Sequence, residues 1–141
     1  MKKTAVTKAS EIKRDWHLID LKGRILGRVA NEIAVLLIGK NKPYFTGNLD
    51  CGDYVVAINA ADIEVTGRKL KQKKYYRHSG YPGGFKEVTL SRQMEMDPRK
   101  VIYSAVSGMV PKNKLRDDRL SRLKIFADNK HPYQDKFSKS E

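Results

Sequence analysis

Two short apolar runs, WHLIDL from Trp16 to Leu21 and DYVVAIN from Asp53 to Asn59, stand on either side of a segment with helical periodicity. In that segment Leu26, Val29, Ala30, Ile33, Ala34 and Leu37 recur at three- and four-residue intervals, which puts them on one helix face. Strand, helix and strand at this separation predict a right-handed βαβ crossover with parallel strands. The second run is apolar without alternation, as expected of a strand covered on both faces. Gly39 marks the helix end, and Lys40 complements the negative C-terminal dipole.

The rest of the chain is read with the same periods. Asp62–Val65 is a short element of no clear type, broken by Thr66-Gly67. Lys73–His78 reads as a strand or an extended arm, and the glycines with Pro82 exclude regular structure up to about Gly84. Val88–Met96 reads as a short helix. Another helix starts at DPRK, where Asp97 caps it and Pro98 suits its first position. Val101, Ile102, Ala105 and Val106 form its buried face, Gly108 ends it, and Pro111 blocks continuation. Lys112–Leu123 reads as a basic helix and Leu123–Ala127 as a final strand. The sum is one α/β domain over residues 15–127, a small mostly parallel sheet flanked by helices. A basic mobile arm at 1–14, an inserted basic loop at 68–84 and an extended polar tail at 128–141 complete it. No internal repeat or low-complexity linker interrupts it.

Charge narrows the function. The 141 residues carry 29 Lys and Arg against 16 Asp and Glu, a formal net charge of +13, which favours a polyanionic partner. No apolar run has the length of a membrane span, and MKKTAVTKASEIKRD lacks the apolar region of a secretory signal. The charge does not form one face of a long amphipathic helix, which argues against a membrane surface. A single cysteine, Cys51, excludes an intramolecular disulfide and suits a reducing cytoplasm.

Catalytic readings fare poorly. His17, His78 and His131 are far apart and show no metal-ligand spacing, and His17 in a strand reads as a hydrogen-bonded packing residue. Cys51 would need a base and an electropositive pocket to act as a nucleophile. Asp20 and Asp53 could hold magnesium in a small nuclease, with Asp50 nearby, but parallel strands put Asp20 and Asp53 at opposite ends of the sheet. GRILG at Gly23–Gly27 lies where a dinucleotide fingerprint would, yet it has bulky Ile25 and Leu26 in place of glycines. A plain βα turn explains it, although its free N–H groups could meet an RNA phosphate. No cofactor, metal or small-molecule substrate is expected.

The basic clusters are more informative. Arg68, Lys69, Lys71, Lys73, Lys74 and Arg77 are six cations in ten positions, followed by YYRHSGYPGG. Lys112, Lys114, Arg116, Arg119, Arg122 and Lys124 fall within thirteen residues against Asp117 and Asp118. At helical spacing Lys112, Arg116 and Arg119 share a face, with Leu115, Leu120 and Leu123 towards the core. One such run alone is usually a solvated helix face; two, with a basic arm, point to RNA. Lys and Arg release counterions from phosphates, while Tyr75, Tyr76 and Tyr81 can stack on unpaired bases. Gly80, Gly83 and Gly84 allow close backbone approach, and His78 lies among them. At least one of Tyr75 and Tyr76 should instead pack on the core.

Four stretches carry a family resemblance: HLIDLKGRILGRVANEIAVLLIGKNKPYFT, DCGDYVVAINAADIEVTG, YYRHSGYPGG and SGMVPKNKLRDDRLSRLKIF. In order and spacing, from about Asp15 to Gln134, the chain resembles the bacterial form of the thirteenth large-subunit ribosomal protein. The resemblance implies a non-enzymatic structural protein of the large subunit, with an α/β core, that joins early in assembly. It also implies large-subunit ribosomal RNA and neighbouring ribosomal proteins as partners, no cofactor, and for some members repression of their own messenger. A free-standing messenger-binding regulator is the alternative. By position, the family's RNA-facing segments correspond to Arg24 and Arg28, Lys40 and Lys42, the 68–84 loop and Lys112–Arg122. The chain departs from the family pattern at Ser107, usually basic, and at Arg116 and Asp128, usually glycine. Arg116 is expected to compensate for the missing cation at 107.

Overall fold

The computed structural model describes residues 6–138. Strand β1 (Trp16–Asp20) leads through helix α1 (Leu26–Ile38) to strand β2 (Tyr54–Ile58), and β1 and β2 pair in parallel from Trp16 opposite Tyr54 to Asp20 opposite Ile58. The crossover read from the two apolar runs is therefore present. Strand β5 (Leu123–Ile125) joins the other side of β2, also in parallel, giving a three-stranded sheet in the order β1-β2-β5. All six apolar residues named on α1 are buried. Each aliphatic side chain larger than alanine contributes roughly 1.5–3 kcal/mol by leaving water. Gly39 closes the helix at φ 85°, a left-handed value that glycine adopts without strain.

Helix α4 (Pro98–Met109) packs against α1 and supplies Val101, Ile102 and Val106 to the same core. Asp97 caps it, its side chain accepting from the Arg99 N–H, and Pro98 is in the first turn. Val55 and Ala57 face this helical core, whereas Trp16 and Tyr54 are stacked 4.4 Å apart, and Trp16 also packs against Tyr133 and Phe137. The segment around helix α6 (Gln134–Phe137) thus lies against β1, and the stretch read as an extended tail folds back. Aromatic burial outweighs the polar character of its other residues.

Between β2 and α4 lie a one-turn helix, α2 (Lys69–Gln72), an antiparallel hairpin of β3 (Lys74–His78) and β4 (Phe85–Thr89), and helix α3 (Leu90–Met96). The segment read as one helix from Val88 therefore splits. Val88 and Thr89 finish a strand, and the Thr89 hydroxyl caps α3 by accepting from the Arg92 N–H at 3.4 Å. Gly108 does not end α4, which continues to Met109, because Gly108 does not adopt a left-handed φ and the helical bonds persist to Val110. The basic helix expected from Lys112 is shorter, α5 (Arg116–Ser121), since the Asn113 side chain accepts from the Leu115 N–H at 3.1 Å and holds a turn.

The N-terminal segment, expected to be a mobile arm, lies along the 42–52 segment from Thr7 onward. Thr7 Oγ1 donates to the Tyr44 carbonyl at 2.9 Å, and Arg14 donates to the carbonyls of Gly52 and Asp50 at 2.6 and 2.9 Å. The first five residues of that arm and the last three of the tail lie outside the described residues.

Candidate nucleic-acid interface

The hairpin displays cations on both faces. Pairing sets Lys74 opposite Thr89, Tyr75 opposite Val88, Tyr76 opposite Glu87, Arg77 opposite Lys86 and His78 opposite Phe85. Because strand side chains alternate, Lys74, Tyr76 and His78 share one face with Phe85 and Glu87, while Tyr75 and Arg77 share the other with Lys86 and Val88. On the first face Tyr76 and Phe85 stack at 5.8 Å and are 65% and 57% exposed, an unusual condition for two large rings. On the second, Tyr75 is half-buried against the core, as expected for one of the two tyrosines. Its hydroxyl is buried and, among the described residues, without a hydrogen-bond partner, and burial pushes its pKa up. Lys73 Nζ sits 5.5 Å from the centre of that ring.

The glycine-rich stretch is the hairpin's turn. Gly80 and Gly83 hold φ of 87° and 73°, the Gly80 N–H donates to His78 Nδ1 at 2.9 Å, and the Ser79 N–H donates to the Gly84 carbonyl at 3.2 Å. His78 shapes the loop.

Arg68, Lys69, Lys71, Lys73, Lys74 and Arg77 are all exposed. Among the described residues, Lys74 alone of these six has a carboxylate partner, Glu87 Oε1 at 3.1 Å. Elsewhere Arg28, Lys40, Lys112 and Lys114 are exposed and, among the described residues, without a carboxylate partner, and Arg24 is exposed but bound to Glu32 at 2.5 Å. Arg116 is directed to Ser107, donating to its carbonyl at 3.0 Å and its hydroxyl at 2.5 Å. The guanidinium thus lies beside Ser107. Lys86, Lys100 and Tyr103, which sequence reading missed, are exposed around the hairpin's second face. For Lys86 the only signal was the alternation in FKEVT, a pattern obscured by charges on both faces of an outlying strand, and Lys100 and Tyr103 lie on α4, whose legible signal is its buried face.

Three predicted contact residues point inward instead. Arg119 is 2% and Arg122 6% exposed, and the Lys42 side chain is 8% exposed. Arg122 grips both oxygens of Asp50, Nη1 on Oδ2 and Nη2 on Oδ1, and Nη2 also donates to the Leu37 carbonyl at 2.9 Å. Arg119 Nε stands 3.8 Å from the same carboxylate. Lys42 pairs with Asp53, which also accepts from His17 Nε2 at 2.8 Å and the Asp15 N–H at 3.1 Å. His17 is therefore the hydrogen-bonded residue expected of it. Gly52 sits between these carboxylates, where a Cβ would lie 1.7 Å from the Leu37 carbonyl oxygen. Only glycine lets the loop meet the end of α1 this closely.

Burial is the largest influence on Asp50 and Asp53 and would raise both carboxyls. Hydrogen bonds outweigh it, from Arg122 on Asp50 and from Lys42, Asp15 and His17 on Asp53, and hold both below the ordinary 3.8. A depressed folded-state pKa contributes stability that is complete above the unfolded value and lost as pH falls through the folded one. Urea midpoints should hence be level down to about pH 4 and fall steeply as acid goes below it. The Asp53→Asn variant should start lower at neutral pH and show a flatter acid limb; an acid limb like that of the wild type would show that Asp53 does not set the acid response.

These groups have structural work to do and do not converge for metal chemistry. Asp20 and Asp53 lie at opposite ends of the sheet, and Asp50 and Asp53 are held by cations. Cys51 is fully buried between them.

The model of the family described as ribosomal protein L13 matches residues 14–132, covering both strands of the crossover, the basic hairpin and the buried charge network. The chain belongs to the ribosomal protein L13 family. Among its relatives, large ribosomal subunit protein uL13 of Dehalococcoides mccartyi is 55% identical over 130 residues, covering 92% of this chain and 91% of the relative. The proteins of the same name in Citrifermentans bemidjiense and Thermosipho africanus are each 50% identical, covering 93% and 94% of this chain and 92% and 89% of theirs. Membership in the L13 family agrees with the resemblance read from the four sequence stretches.

Proposed function

We propose that this protein is a structural constituent of the large ribosomal subunit in the cytoplasm, docking on large-subunit ribosomal RNA and supporting early subunit assembly. The observation that carries the reading is the run of six exposed cations at 68–77, all but one without a carboxylate partner among the described residues, on a hairpin rooted in a packed core. The buried Arg122 and Lys42 are paired with Asp50 and Asp53, so the exposed cations are left for phosphate. Arg24, Arg28 and Lys40 near the two ends of α1, with Lys112 and Lys114, extend the contact, and neighbouring ribosomal proteins cover what RNA leaves open. Affinity comes from counterion release, and the rigid core determines where the cations point. No turnover is part of this reading.

Binding of the purified chain to protein-free large-subunit RNA, small-subunit RNA and its own messenger leader, across a salt series, tests it. Tightest binding to large-subunit RNA is expected. Tightest binding to the leader would instead make the protein a messenger-binding regulator, and equal binding to all three would remove the specific docking.

A further inference from the structure

The second face of the hairpin does not lie flat on the domain. It forms one wall of a cleft of about 710 Å³, whose other wall is α4 and whose floor includes Leu123 and Ile125 of the outer strand β5. That volume lies within the roughly 300–1,000 Å³ of small-ligand sites.

The walls have a consistent chemistry. Tyr75 stands on the hairpin wall and Tyr103 on the helix wall, and the base of the cleft is aliphatic. Arg77 and Lys86 line the hairpin side and Lys100 the helix side, and among the described residues none of these three has a carboxylate partner. The cleft's single carboxylate, Asp97, is already committed to Arg99 at 3.0 Å.

Planar rings on two walls and lining cations without a carboxylate partner among the described residues suit a ligand with a flat heterocycle and a negative tail. We propose that the cleft takes one unpaired nucleotide splayed out of the RNA, its base against the tyrosines and its phosphate on Arg77, Lys86 and Lys100. The proposal rests on the RNA-docking reading and makes it more specific. The exposed cations would grip backbone without regard to sequence, while the cleft admits only a nucleotide free of its helix, which sets the register of docking. An acidic peptide would satisfy the cations but leave the two rings without a matching group.

Tyr103 is 45% exposed, so truncating it should leave folding intact, as a thermal melt would verify. The test measures affinity for protein-free large-subunit RNA, with its salt dependence, for the wild type, Tyr103→Ala, Tyr103→Phe and the triple variant Lys71→Ala, Lys73→Ala, Lys74→Ala. Tyr103→Ala should weaken binding roughly 5- to 150-fold, the size of one stacked base, with an unchanged salt slope. Tyr103→Phe keeps the ring and should bind like the wild type. If Tyr103→Ala binds normally while the triple variant is weakened, the cleft holds no nucleotide and the docking reading survives. If neither variant changes affinity, both fall. Normal RNA binding by Tyr103→Ala with failure to enter the subunit would assign the cleft to a protein neighbour and overturn the proposal. Ultraviolet cross-linking of the wild-type chain to the same RNA gives a readout independent of variant folding. A nucleotide-bearing peptide containing Tyr75 or Tyr103 is expected, and adducts confined to other segments would contradict the cleft.

Discussion

The Arg122→Ala variant is expected to lose about 3–5 kcal/mol of stability, because removing one partner of a buried ion pair leaves the other charge stranded. Arg122 is 6% exposed and joins three parts of the chain: the Asp50 carboxylate, the Leu37 carbonyl at the end of α1, and the Asp53 carbonyl at the start of β2. Without it Asp50 keeps, among the described residues, the Gly52 N–H at 3.4 Å and the more distant guanidinium groups of Arg14 and Arg119, each 3.8 Å away. For a domain of this size the loss corresponds to a fall in Tm of roughly 10–20 °C. Taking away both charges, as in Arg122→Met with Asp50→Leu, should restore part of the loss, since no unpaired ion then remains in the interior. A single variant that melts within a few degrees of the wild type would mean that water reaches the site and screens it. The same experiment separates a scaffold arginine from an RNA-contacting one, because a surface cation would cost binding and leave the melting temperature alone.

The largest effect on binding is expected where stability is least affected. Replacing Lys71, Lys73 and Lys74 together with alanine should lower the slope of log affinity against log salt by roughly two to three units, at about 0.7–0.9 for each phosphate no longer neutralised. All three side chains are exposed, so the fold should hardly change. Lys74 gives up its exposed pairing with Glu87, an interaction of the kind worth little in water. Lys73 also leaves the Tyr75 ring, a modest effect at an exposed cation. An unchanged slope with an unchanged affinity would take the hairpin out of the interface. An unchanged slope with weaker affinity would mean that these lysines act on RNA shape and not through phosphate charge.

How much of this is legible in the sequence depends on the range of the forces involved. The β1-α1-β2 crossover is plain because its signal is local: six apolar residues at helical spacing between two apolar runs, each buried as the period requires. The cap at Asp97 and the stop at Gly39 are plain for the same reason. Strand β4 is not, since FKEVT is exposed for most of its length and has no apolar stripe to announce it. Its existence depends on the turn from Ser79 to Gly84, whose glycines read as an interruption when they in fact close a hairpin. The tail's polar composition hides Tyr133 and Phe137, which pack on a tryptophan more than a hundred positions earlier.

The candidate site shows the same division. Exposed cations at 68–77 can be named from the sequence because nothing distant recruits them. Arg119 and Arg122 cannot be told from their neighbours, since helical spacing records polarity but not the carboxylate at Asp50, some seventy residues away, that draws them in. Lys42 escapes the sequence for the same reason, its partner being Asp53. The one local hint is the DCGD stretch, where two acidic residues flank a buried cysteine and a glycine with no room for a side chain. Tyr103 and Lys100 lie on α4 in a segment whose sequence signal is its buried face, so their meeting with the hairpin across a cleft is visible only once the chain has folded.

If this chain is a built-in part of the large ribosomal subunit, it must stay there when loosely held proteins are removed. Sedimentation of a cell lysate through a high-salt gradient, following the protein with an antibody, tests this most directly. Co-migration with the large subunit is expected, and it should survive salt high enough to strip loosely bound factors. Protein remaining at the top of the gradient at both low and high salt would contradict a structural role in the subunit.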